Sequence, residues 1–175
     1  MVSIFIITSV IGLAGGFWVE SLVIFLGVGI LRKSTGGAHS QTFQACLIIS
    51  IFSISLLSLL SSHLVPNGVV IDMTYSFVVI CIVFLISFFF IYKLAPVDSL
   101  AKPIVKKEKI ARLRKNSILT LIVYFLLAIA FTFFSTSLLW LQKISISLCF
   151  ATLWQVFTLT KTGHKLISGI DKKFK

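Results

Sequence analysis

Two residues in the first third of the chain, His39 and Cys46, could carry out nucleophilic chemistry. A cysteine thiolate is a strong nucleophile, and a histidine within hydrogen-bond reach can take the thiol proton. On one continuous helix the seven-residue spacing puts both side chains on the same face, but about 10.5 Å apart along the axis. A nucleophile and its base must come within about 3–3.5 Å, so a straight helix through both residues cannot pair them.

The residues around this pair offer a way to bring it together. Gly36 and Gly37 precede His39, and Ser40 is a suitable helix N-cap. If a helix starts near Ser40, His39 lies in a glycine loop and can fold back over the first helical turns. The N-terminal end of a helix also favours a thiolate. The alternative is that Cys46 is a small hydrophobic residue of an apolar segment and His39 an interfacial residue. Spacing alone leaves both interpretations open.

The composition indicates the environment in which such chemistry would occur. The 175 residues are 58% hydrophobic and 12% charged, with 17 phenylalanines and a mean hydropathy of +1.08. Soluble domains are closer to about 45–50% apolar and 25% charged, and this chain has too few polar residues to cover a soluble surface. The sequence therefore predicts an all-α, polytopic integral membrane helical bundle that forms a single domain, 1–175.

Long uncharged runs predict the elements that must position the pair. A helix needs about 20 apolar residues to cross a bilayer, and the runs that approach or exceed this length are 42–62, 73–92, 116–142 and 144–160. The segment 1–31 is either one long helix with Glu20 inside or two short helices hinged at Gly15–Gly16. An unpaired carboxylate inside the membrane is costly, which favours the hairpin. The prediction is then about six transmembrane segments.

Basic residues lie almost entirely on one side of these predicted spans. Of the 16 Lys and Arg residues, 15 occur in 32–33, 93–115 and 161–175, and Lys143 is the exception. The positive-inside rule predicts that these segments, and Cys46 with them, lie on the cytoplasmic side of the membrane. Membrane lipid is an expected partner of the spans themselves. Nucleic acid is not an expected partner despite the net charge of +11, because the charges lie in short segments between apolar runs.

Neither disulfides nor a cofactor is indicated. The three cysteines, Cys46, Cys81 and Cys149, are odd in number and widely spaced, and the three histidines form no metal-binding pair with each other. We therefore predict no metal and no other cofactor, and we interpret Cys81 and Cys149 as packing residues of apolar spans.

One segment resembles the signature of a known family. Residues 32–46 read R-K-x-x-G-G-x-H-x-x-x-x-x-x-C before an apolar span, and Ala95-Pro96 with Lys102-Pro103-Ile104 forms a second landmark. Together they resemble the accessory gene regulator B (AgrB) family over nearly the whole chain. The resemblance implies a multi-pass cysteine endopeptidase in the cell membrane of a Gram-positive bacterium. It would process an AgrD-like propeptide into a cyclic signalling peptide, and the family's layout has six spans.

The same resemblance assigns roles within 32–46. It makes His39 and Cys46 the catalytic pair and Arg32 and Gly37 supporting residues, with Gly36 as part of the glycine turn. Ser40 and Gln44 are polar neighbours that could orient His39 or donate to an oxyanion, or could simply cap the helix and face the membrane surface. No carboxylate near in sequence offers itself as a third catalytic residue. The chain starts directly in an apolar run, whereas family members usually begin with an amphipathic segment.

The basic segment 93–115 is the predicted binding site for the acidic tail of the propeptide. Anionic lipid and orientation account for part of its charge. The residues assigned to substrate binding are Lys102, Lys106, Lys107, Lys109, Arg112, Arg114 and Lys115.

Two other functions compete with the peptidase. One is a small membrane subunit for peptide export or transport without proteolytic activity, and the other is a structural membrane protein. A transporter is expected to carry ionisable residues inside its spans, and here only Glu20 does so. The oligomeric state, a homodimer included, is left open by the sequence.

Overall fold

The computed structural model describes residues 2–38, 40, 42–65, 71–97, 107–135, 138 and 140–174. Over these residues it has helices and no strand, which confirms the all-α membrane bundle. The helices are α1 Val2–Gly15, α2 Trp18–Thr35, α3 Phe43–Leu64, α4 Met73–Leu94, α5 Lys107–Phe134, α6 Trp140–Leu159 and α7 Lys161–Asp171, and a short 3-10 helix follows at Lys172–Phe174.

Three of these helices, α3, α4 and α5, are each long and apolar enough to cross a membrane. Helices α6 and α7 are bent by 80° relative to each other, and taken together they give a fourth candidate span. Large apolar side chains such as Phe52, Leu85 and Leu126 are exposed on the outside of the bundle, as expected for surfaces that contact lipid.

The predicted hinge in the first 31 residues is confirmed. Helix α1 ends at Gly15, Gly16 has a positive φ of 75°, and α2 begins at Trp18. Glu20 is buried in the first turn of α2, where its carboxylate lies 3.8 Å from the Lys143 ammonium of α6. Glu20, whose unpaired charge would disfavour a single long helix, is therefore paired. The pairing lowers the free-energy cost of burying its carboxylate inside the bundle.

The predicted span 116–142 exists but ends too late, because two helices divide that run. Helix α5 begins at Lys107 and ends at Phe134, and α6 begins only at Trp140. At the end of α5 the Ser135 hydroxyl donates to the Thr132 carbonyl oxygen at 2.6 Å, in a turn that no charge marks in the sequence. Lys143 lies inside α6 rather than at its boundary, since Glu20 supplies its counter-charge.

Helix α6 lies at the centre of the bundle and packs against α2, α3, α4 and α5. Its buried side chains are largely small and polar, and several of them bond to neighbouring segments. Ser147 shares a hydrogen bond of 2.8 Å with Ser61, and Gln142 bonds to both the backbone N–H and the carbonyl oxygen of Ile71. Such interhelical hydrogen bonds and close packing hold helices together in lipid, where apolar burial gives little driving force.

One end of the bundle gathers the ends of α2, α4 and α6 and the starts of α3, α5 and α7. There the Val97 N–H donates to the Thr35 carbonyl oxygen at 2.9 Å, and the Ala38 N–H donates to the Thr158 carbonyl oxygen at 3.0 Å. We call this the basic end, because every described Lys and Arg except Lys143 lies in the last turns of α2 and α4, in the first turns of α5, in α7 or in the 3-10 helix after it.

Candidate active site

The glycine pair forms the turn that ends α2. The Gly36 N–H donates to the Arg32 carbonyl oxygen at 3.0 Å, and φ is 70° at Gly36 and 132° at Gly37, values that side-chain-bearing residues rarely adopt. A Cβ on Gly36 would overlap the carbonyl oxygen of Val97, and one on Gly37 would lie 2.8 Å from the Thr158 hydroxyl oxygen. Both positions therefore require glycine for conformation and for space.

Helix α6 holds this turn in place. Gln155, which is fully buried, donates from Nε2 to the Thr35 hydroxyl oxygen at 2.8 Å and to the Gly36 carbonyl oxygen at 2.7 Å. The Ala38 N–H bonds to the Thr158 carbonyl oxygen one turn further along α6. Buried hydrogen bonds of this kind fix the path of the chain, because breaking one would leave a desolvated polar group without a partner.

Arg32 joins the turn to the cysteine. It lies in the last turn of α2, and its Nη2 donates to the Ala38 carbonyl oxygen at 2.5 Å. Its guanidinium also interacts electrostatically with Cys46. Arg32 thus fastens the chain just before His39 and lies within electrostatic range of Cys46.

Cys46 lies in the first turn of α3. Its side chain is half-buried, its thiol is free, and its N–H donates to the carbonyl oxygen of Thr42 at 3.1 Å. Thr42 is the N-cap, with φ of −96° and ψ of 137°, so the predicted N-cap at Ser40 is two residues too early. The argument against a straight helix through 39–46 holds, because α2 ends at Thr35 and α3 begins at Phe43.

The other predicted residues of 32–46 have different outcomes. His39 lies outside the described residues, so its pairing with Cys46 stays a prediction. Gln44 is exposed on the first turn of α3. The Ser40 hydroxyl donates to Asp171 Oδ1 and lies 3.2 Å from the Thr42 carbonyl oxygen. Ser40 therefore has a role in fixing the backbone, whether or not it also orients His39.

Asp171 is the residue at this end that sequence reasoning missed. It is the last residue of α7 and only 5% exposed, and its Oδ1 accepts from the Ser40 hydroxyl, the Thr42 N–H at 3.0 Å and the Thr42 hydroxyl at 2.6 Å. No local pattern could have found it, because about 130 residues separate it from these partners. Only the bend between α6 and α7 brings it here.

The predicted substrate-binding residues fall at the start of α5. Lys102 and Lys106 lie outside the described residues, whereas the other five are exposed on the first turns of the helix, namely Lys107, Lys109, Arg112, Arg114 and Lys115. Of these, Arg114 also has a structural role, since its Nε donates to the Ala95 carbonyl oxygen at 3.1 Å and its guanidinium lies over the Tyr92 ring. Lys107, Arg114 and Lys115 line one shallow cleft with Ile110 and Ile118.

The remaining cysteines lie apart from this end. Cys149 is buried in α6, as predicted for a packing residue, but Cys81 is exposed on the outer face of α4, so its interpretation as a buried packing residue is wrong. An apolar surface that contacts lipid accommodates a cysteine as readily as a core does.

Fold and site together define a class, a polytopic helical membrane protein with a free cysteine in the first helical turn after a glycine turn. Comparison with known proteins identifies the family. Residues 1–159 match Accessory gene regulator B. The chain is 30% identical to an AgrB-like protein of Clostridium perfringens strain SM101 / Type A, over 98% of this chain and 78% of that protein. It is 28% identical to AgrB-like protein 2 of C. perfringens strain 13 / Type A, over 93% and 76% respectively. No solved structure matches.

The chain belongs to the accessory gene regulator B family, as the sequence signature predicted. It is therefore a multi-pass membrane protein of the accessory gene regulator quorum-sensing system, in which the family has a peptidase-like role in autoinducer processing. An AgrD-like propeptide is its implied partner.

Proposed function

We propose that this protein is a cysteine endopeptidase that cleaves an AgrD-like propeptide through an acyl thioester on Cys46 and promotes cyclisation of the released signal. The observation that carries the proposal is the position of Cys46. It lies half-buried in the first turn of α3, within electrostatic range of Arg32 and directly after a glycine turn fastened to α6 and Val97. A nucleophile needs access to its substrate and a rigid support.

The first step is attack on the propeptide. His39 takes the Cys46 proton, and the thiolate attacks the carbonyl carbon of the last residue of the future signal peptide. The tetrahedral intermediate collapses by breaking the C–N bond, and His39 returns its proton to the leaving amine. The acidic tail departs with a new amino terminus, and the signal sequence remains as a thioester on Cys46.

The second step keeps the energy of that thioester. A thiol within the bound peptide gives its proton to His39 and attacks the acyl carbon, the Cys46 sulfur leaves and takes that proton from His39, and a thiolactone forms; a serine hydroxyl would give a lactone. One thioester replaces another of similar energy, and intramolecular attack has a very high effective concentration. Low water content at the membrane edge slows competing hydrolysis.

The basic end is the proposed cytoplasmic end, in the cell membrane of a Gram-positive bacterium. The support is the distribution of charge, since 15 of the 16 Lys and Arg residues belong to 32–33, 93–115 and 161–175, and the described parts of these segments meet at this end. The propeptide would then reach Cys46 from the side on which it is synthesised.

Trapping the acyl-enzyme tests the proposal directly. A propeptide whose own cyclising nucleophile is replaced by alanine should be cleaved once and remain on Cys46, because only water can release it. Intact mass should show the chain plus the acyl peptide, and hydroxylamine should remove the adduct. Cys149→Ala should still form it, and Cys46→Ala should not. Cleavage of this peptide with no adduct on the protein would contradict the thioester route.

The exposed basic residues of α5 are the proposed dock for the acidic tail. Replacing Lys107, Lys109, Arg112 and Lys115 with glutamate should raise KM at least about tenfold. Each basic residue near an anionic partner contributes to the binding free energy, and each glutamate would repel the acidic tail. Arg114 is left intact, since it holds Ala95. The measurement is initial cleavage rate against propeptide concentration.

The matched control reverses four exposed lysines of the last helices at the same end, Lys161, Lys165, Lys172 and Lys173. It changes net charge equally, so lipid attraction and orientation are equally affected, while KM should change less than about threefold. Equal KM increases in both quadruple variants would show that general charge, and not a dock on α5, attracts the peptide.

The export alternative receives less support from the described helices. Glu20, the buried carboxylate of α2, is paired with Lys143 at 3.8 Å at the end opposite Cys46. A paired carboxylate stabilises the bundle and is not available as a binding group for a translocated peptide.

A further inference from the structure

Helix α7 is held against the bundle by a continuous inner face. The Thr160 hydroxyl caps its start by accepting from the Gly163 N–H at 3.1 Å, and Gly163, Ile167 and Asp171 are its buried residues, spaced four apart. A Cβ on Gly163 would overlap the carbonyl oxygen of Phe157 in α6, so the two helices approach as closely as backbones allow. Gly163 therefore allows the sharp bend between α6 and α7, and the bend determines where the last residue of α7 lies.

At that position the Asp171 carboxylate contacts the chain that leads into α3. Three donors converge on its Oδ1, namely the Ser40 hydroxyl, the Thr42 N–H and the Thr42 hydroxyl. A carboxylate that is only 5% exposed requires such donors, because burying its charge without them would be costly. Its negative charge also suits the positive N-terminal end of α3.

These contacts lead directly to the reactive residues. Ser40 follows His39 in the chain, and the carbonyl oxygen of Thr42 accepts the Cys46 N–H at 3.1 Å. On the other side of His39, Ala38 is fixed by Arg32 and Thr158. The chain is thus fastened immediately before and immediately after His39, and Asp171 supplies the second attachment.

We propose that Asp171 is a positioning residue of the peptidase site, which ties α7 to Ser40 and Thr42 and so fixes the start of α3 relative to the glycine turn. The inference rests on the proposed function of Cys46 and His39. It goes beyond the family resemblance, because Asp171 lies outside residues 1–159 that match the family. Displacing a nucleophile from its base by about 1 Å can cost about 100-fold in rate, so a contact to the residue after His39 and to the residue before α3 should act on kcat.

The test compares Asp171→Asn with the unmodified chain in a Cys81→Ser, Cys149→Ser background. Asparagine keeps the shape of the side chain but removes the charge that three donors share, so kcat should fall at least about tenfold while KM changes less than about threefold. Two further measurements should differ between Asp171→Asn and the unmodified chain. One is the rate at which iodoacetamide alkylates Cys46, and the other is the rate of hydrogen exchange in 42–46. Asp171→Glu, which restores the charge, should recover part of kcat.

Asp72→Asn is the matched control, because Asp72 is another aspartate that bonds to the chain at the start of a helix. Its Oδ1 accepts from Thr74 N–H at 2.8 Å and Tyr75 N–H at 3.2 Å at the start of α4, at the opposite end of the bundle. Asp72→Asn should leave kcat and Cys46 alkylation unchanged. If Asp171→Asn reduces the inserted amount, Ser40→Ala and Thr42→Val remove single donors and should each lower kcat by a smaller factor.

Two outcomes would overturn the inference: kcat within twofold of the unmodified chain in Asp171→Asn, or equal losses of kcat in Asp171→Asn and Asp72→Asn. Failure of the proposed function has a different signature, namely cleavage that persists in Cys46→Ala. The alkylation and exchange measurements need no propeptide, so they report on the Asp171 contact even in that case.

Discussion

Replacing Cys46 with alanine is expected to abolish propeptide cleavage, with a loss of at least about 10⁴-fold in kcat. Without the sulfur no acyl-enzyme can form, and nothing else in the proposed mechanism attacks the peptide bond. His39→Ala should lose at least about 100-fold, because the thiol proton then has no base to receive it and the leaving amine has no acid. Both variants should insert normally. Cleavage is measured by mass spectrometry of the released tail.

The controls for this prediction are an exposed cysteine and an exposed histidine elsewhere in the same chain. Cys81 is exposed on α4, and His63 is exposed near the end of α3 furthest from Cys46. Cys81→Ala and His63→Ala should retain cleavage within about twofold. Cleavage at the normal site by Cys46→Ala would rule out the cysteine mechanism for this protein.

The bundle could be predicted from sequence because its helices are local features. Uncharged runs of sufficient length predicted the bounds of α3 and α4 to within a few residues. The glycine pair at 15–16 predicted the hinge before α2. The division of 116–142 was missed because the turn at Ser135 carries no charge, proline or glycine at its start. Lys143 was taken for a boundary, although its counter-charge Glu20 allows it to lie within a helix.

The candidate site was predictable only where its residues are close in sequence. The pattern over 32–46 identified the glycine turn and the cysteine, but not what holds them. Gln155 and Val97 hold the turn, and Asp171 holds the chain before α3. These contacts join segments 60 to 130 residues apart, and each partner looks ordinary in its own segment. Their roles follow from helix packing, which a linear pattern does not encode.

The glycine turn carries the second large expected effect, in the variant Gly36→Ala. Alanine at φ of 70° is strained, and its Cβ would overlap the Val97 carbonyl oxygen, a backbone atom that cannot simply rotate away. The turn or the chain at Val97 must move. Because Gln155 and Arg32 tie that turn to its surroundings, the movement will alter the approach to Cys46. A displacement of about 1 Å predicts a loss of about 100-fold in kcat/KM.

Gly29→Ala is the matched control, since Gly29 lies in the same helix α2 but has no atom within 4 Å of the position its Cβ would occupy. Within a helix, alanine is favoured over glycine by about 1 kcal/mol, so this variant should be as active as the unmodified chain and at least as stable to heat. Cleavage rate and thermal unfolding in detergent separate the two cases. If Gly36→Ala and Gly29→Ala are equally active, the close approach of Val97 to the turn has no bearing on catalysis, and the turn serves only to end α2.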